Sequence, residues 1–63
     1  MVKSTTVEEE LASNPLFKGY LLLDGPYKNK SDAYQYARDE MKYDPGAMVT
    51  TYFFNKEWYV IKK

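Results

Sequence analysis

The chain has 63 residues, with nine basic and nine acidic side chains that cancel, and it contains neither cysteine nor histidine. That composition excludes a disulfide framework, thiolate chemistry and thiolate metal sites, and it removes the commonest general base and metal ligand. A neutral balance supplies no global field to draw in nucleic acid, and no apolar run is long enough for a membrane span. Cytoplasm is the expected location, and no cofactor is expected.

One domain is expected over residues 1–63, close to the lower size limit for folding without a staple. Seven tyrosines, three phenylalanines and one tryptophan then become the main source of burial. Met1 to Thr5 is expected to fray. Thr6-Val7-Glu8-Glu9 has the form of a capping box, with acidic residues in the first turn where the helix dipole favours them. Pro15 limits this helix to about Ser13 or Asn14, since the residue before proline avoids helical geometry. A helix so short must dock through Val7 and Leu11 or melt. The run Glu8-Glu9-Glu10 reads first as a solvated face.

Tyr20-Leu21-Leu22-Leu23-Asp24 predicts a first strand, ended by Gly25-Pro26 because proline lacks an amide for the ladder. Tyr27-Lys28-Asn29-Lys30 then leads to Ser31, the expected N-cap of a helix running to Lys42. Ala33, Ala37 and Met41 recur every four residues and form its inner stripe. Asp44-Pro45-Gly46 stops it. Lys28, Lys30 and Ser31 precede a helix N-terminus and form a candidate weak anion site, although the segment is neither a Walker A loop nor a dinucleotide fingerprint.

Met48 to Phe54 and Glu57 to Ile61 flank a polar turn and predict a closing hairpin. A loop of Asn55-Lys56 pairs Phe54 with Glu57, Phe53 with Trp58 and Tyr52 with Tyr59. A four-residue loop keeps the same faces, whereas an odd loop shifts every pairing. The expected fold is a small α+β domain: a three-stranded antiparallel sheet with one main helix on one face (β-α-β-β), preceded by a short helical segment. The last strand, carrying Trp58-Tyr59-Val60-Ile61, is placed in the middle.

Side chains alternate along strands, so both faces of this sheet are apolar. The main helix is expected to cover Leu21, Leu23, Val49, Phe53, Trp58 and Val60. The opposite face then carries Tyr20, Leu22, Tyr52, Phe54, Tyr59 and Ile61. Tyrosine-rich apolar surfaces suit partner recognition. Four occupants are open: the N-terminal segment folded back through Val7, Leu11, Leu16 and Phe17, a protein partner, a second copy, or single-stranded nucleic acid stacked on the rings with Lys18, Lys56, Lys62 and Lys63 at the rim. Asp24, Asp32, Asp39, Glu40 and Asp44 occupy turns, caps and helix surface and do not converge, so an enzyme is not expected.

Tyr20 to Tyr27 followed by Ser31-Asp32-Ala33 resembles half of a SPOR peptidoglycan-binding domain, in which a strand ends in Gly-Pro-aromatic before a helix. The second half-repeat does not follow, and no glycan ligand is expected. Size, element order and the bend at Tyr43-Asp44-Pro45-Gly46-Ala47 are similar to small phage-encoded host-takeover proteins, including compact inhibitors of RNA polymerase. That resemblance implies a phage or mobile-element accessory protein that binds and inhibits a host factor. The expected function is therefore a non-enzymatic protein-interaction module, with single-stranded nucleic-acid binding as the alternative.

Overall fold

A computed structural model describes residues 6–63. The expectation for Met1 to Thr5 lies outside them. The elements are α1 (Val7–Ser13), a 3₁₀ turn (Pro15–Phe17), β1 (Leu21–Tyr27), α2 (Lys30–Tyr43), β2 (Val49–Phe54) and β3 (Glu57–Lys62). The sheet order is β1-β3-β2 and both pairings are antiparallel, as the apolar run in β3 implied.

Asn55 and Lys56 both adopt positive φ, 52° and 66°, and make a two-residue loop whose twist matches the flanking strands. Phe54 faces Glu57, Phe53 faces Trp58 and Tyr52 faces Tyr59 without a register shift. The expected hairpin register is therefore the observed one.

Two boundaries differ from the sequence reading. β1 does not end at Gly25-Pro26 but passes through it to Tyr27, with register shifts between Leu22 and Asp24 and between Asp24 and Tyr27. Proline is tolerated there because β1 is an edge strand, where an irregular ladder can lack an amide. Helix α2 starts at Lys30, so its N-cap is Asn29 and not Ser31. The Asn29 side chain makes no capping hydrogen bond.

Two apolar clusters sit on opposite sides of the sheet. On one, Ala33 and Ala37 of α2 lie against Val49 and Val60, with Leu23, Tyr27, Tyr36, Met41 and Trp58 packed around them. The alanines allow close approach of helix and sheet. The helix does not reach the whole expected face: Leu21 is 74% exposed and Phe53 54%. Each lies on one of the two edge strands, outside the strip that a single helix covers.

Candidate functional site

The second cluster gathers the residues expected on the uncovered face. Tyr52 and Ile61 are buried, and Tyr20, Leu22, Phe54 and Tyr59 pack around them. The residues closing this face belong to the same chain: Leu11 is 2% exposed, and Val7 and Phe17 join it. The fold-back occupant is the one observed, with one exception. Leu16 points away and is 82% exposed, because the 3₁₀ turn directs Phe17 inward instead.

The covering segment is built from local signals. The Thr6 hydroxyl accepts from the Glu9 amide at 3.1 Å, and the Thr6 amide donates to the Glu9 carboxylate at 3.0 Å. This is the reciprocal capping box that satisfies two orphan helix-end donors. At the other end the Asn14 side chain accepts from the Leu16 amide at 3.0 Å and starts the turn after Pro15. Phe17 then meets Tyr20 and Tyr52 edge-on, with ring centroids 5.4 and 5.2 Å apart. We call residues 6–19 the strap. Its sole fully buried side chain is Leu11, while Glu8 and Glu9 face solvent.

No protein-family model matches the chain, nor does any curated protein or solved structure. Neither the SPOR half-repeat nor the phage host-takeover plan gains support from these comparisons, and the chemistry of the site rests on the chain itself.

Lys30 and Ser31 open α2 and, with Tyr34, line a surface pocket that Lys28 does not line. The Lys30 ammonium lies 5.5 Å from the Trp58 ring centroid, a cation–π contact that turns it toward the sheet. Lys28 and Ser31 are exposed, and no hydrogen bond links either to Lys30 among the described residues. Among the described residues no group of three or more acidic side chains is placed to hold a metal. No described helix is long and apolar enough to cross a membrane.

One polar contact was not anticipated from the sequence. The Tyr27 hydroxyl donates to the Asp24 carboxylate across the β1 irregularity. That bond, with burial and the adjacent negative charge, pushes the Tyr27 pKa up to about 12. Burial, then the charge of Glu57, also raises that of Tyr59. A phenol held protonated in the fold binds its proton more tightly than in the unfolded chain. Its contribution to stability is therefore complete below about pH 10 and is lost between about pH 10 and 12. Ultraviolet titration should show one tyrosine ionising near pH 12, accompanied by falling stability across that window. Tyr27→Phe should remove that transition and flatten the loss.

Proposed function

We propose that this protein is a small non-enzymatic protein-interaction module that recognises a partner through the Tyr20, Leu22, Tyr52, Phe54, Tyr59, Ile61 face. The strap is an intramolecular stand-in for that partner. The observation that carries this reading is the seating of Phe17 edge-on against Tyr20 and Tyr52, beside a seven-residue helix held by Leu11. A helix of two turns is marginal without its docking contacts, so the strap is the segment of the fold that lifts most readily.

The partner segment this face fits has the strap's own chemistry: a short amphipathic stretch followed by an aromatic. Once bound, the domain occludes the surface that the segment belongs to. This mode of action is the one implied by the likeness to phage inhibitors of host enzymes. The neutral charge balance leaves the nucleic-acid alternative without the electrostatic attraction such binding rests on.

The strap and a partner compete, so apparent affinity is reduced by the fraction of molecules in which the face is open. Leu11→Asp places a charge where a buried side chain was and should undock the strap while α2 and the sheet persist. Affinity capture from cell extract with quantitative mass spectrometry should then recover the same partner on the order of tenfold more efficiently than wild type. Adding Tyr59→Ala to Leu11→Asp should abolish the gain. Capture indifferent to both substitutions would refute this site.

A further inference from the structure

The two edges of the sheet differ. β1 carries Gly25-Pro26 and two register shifts, devices that keep other strands from pairing with an edge. β2 has none. Its sequence Val49-Thr50-Thr51-Tyr52-Phe53-Phe54 contains no charge, no proline and no glycine, and it pairs with β3 in unbroken register.

Its outward polar groups can be assigned. The Lys63 amide donates to the Met48 carbonyl at 3.0 Å, so Met48 faces β3. Backbone direction alternates along a strand, so Thr50, Tyr52 and Phe54 also bond to β3. The amides and carbonyls of Val49, Thr51 and Phe53 point the other way, along the free edge. Apolar surface stands beside that edge at Phe53, which is 54% exposed. Phe53 leans on Trp58 with ring centroids 4.8 Å apart.

We propose that the β2 edge is completed by β2 of a second copy of this chain, paired antiparallel about a two-fold axis at Thr51. An antiparallel pairing of a strand with itself is self-complementary, as a two-fold interface requires. In this register Val49, Thr51 and Phe53 form hydrogen-bonded pairs with Phe53, Thr51 and Val49 of the other copy, which satisfies all the outward groups of the strand. Each exposed Phe53 meets a valine. The register also carries the Lys56 tip of each hairpin toward the other copy's Asp44-Pro45-Gly46 turn, where the Asp44 carboxylate, 57% exposed, already lies 3.8 Å from the Lys62 ammonium of its own chain, so a second cation adds little. Two three-stranded sheets become one of six strands. The contact runs along backbone groups of the strand edge; Tyr52 and Phe54 lie on the same strand with their side chains in the strap-face cluster, and the inference does not rest on that face binding a partner.

A single strand pair with its flanking aromatics buries less than the ~800 Å² per partner of a standard complex. The dimer is therefore expected to be weak and to build up with concentration. Sedimentation should show a monomer at low micromolar and a dimer near millimolar concentration. Over the same range, the amides of Val49, Thr51 and Phe53 should become protected from exchange. In a sample mixed from differently labelled copies, Thr50 and Tyr52 should show a contact between their Hα atoms across the axis. Thr51→Pro removes an outward amide without touching the β3 ladder, and Phe53→Lys sets a charge at an exposed position. Both variants should remain folded monomers. A wild type that stays monomeric at millimolar concentration would overturn the proposal. So would a dimer that survives both substitutions, or one in which those three amides exchange freely.

Discussion

Gly25→Ala is expected to remove about a third or more of the protein's folding stability. Gly25 has φ +134°, a conformation that side chains rarely adopt. An added Cβ would stand 2.6 Å from Tyr59 Cδ2, 3.1 Å from Tyr59 Cα and 3.2 Å from the Trp58 carbonyl. The last two are backbone atoms of the central strand, so a rotamer change cannot relieve them. β1 must move away from β3, losing ladder hydrogen bonds and the packing of Leu23 and Tyr27. Backbone strain and overpacking together cost roughly 3 kcal/mol or more. A domain of this size holds about 3–9 kcal/mol in total. Thermal denaturation followed by circular dichroism should show the midpoint falling by more than about 12 °C. Gly46→Ala is the matched control. A Cβ there approaches nothing closer than the Asp44 Oδ1 at 3.9 Å, and the midpoint should hardly change.

Ile61→Ala should cost about 2–5 kcal/mol, the range for emptying a well-packed aliphatic site. Ile61 is 0% exposed and sits on the central strand between Leu22 and Thr50, so its loss is felt by both neighbours as well as by the strap. Urea unfolding should show a lower midpoint with an unchanged slope. The comparison with Leu11 is the informative one. Both residues belong to one cluster and are almost equally buried. Leu11 lies on the strap, outside the sheet, so replacing it should release that segment and leave the sheet ordered. Hydrogen exchange separates the outcomes: loss of protection confined to α1 for Leu11→Asp, and spread over β1, β2 and β3 for Ile61→Ala.

Much of this architecture was written in local patterns. The hairpin register followed from two apolar runs and an even loop, because a one-residue slip would turn every buried side chain outward. The capping box at Thr6 and Glu9, the Ala33–Ala37 stripe and the central place of β3 were legible for similar reasons. Each depends on residues near one another in sequence. The membership of the second face was legible too, since alternation alone puts Tyr52, Tyr59 and Ile61 on one side.

The occupant of that face was not. Val7, Leu11, Leu16 and Phe17 are all apolar, and nothing local says which of them turns inward. The 3₁₀ turn after Asn14 decided it by sending Phe17 to the rings and leaving Leu16 in solvent. The same holds for β1, where proline reads as a stop in sequence but the edge position allowed the strand to continue as far as the Tyr27–Asp24 bond.

Alone, the sequence determined which residues needed cover, because alternation and periodicity are properties of the chain itself. Tertiary structure decided what covered them and what stayed open, because one helix spans only part of a sheet and a short strap closes only what it can reach. That β2 would be an edge followed from the central place of β3; that its outer side stayed bare was decided by where the helix and the strap lie in the assembled fold.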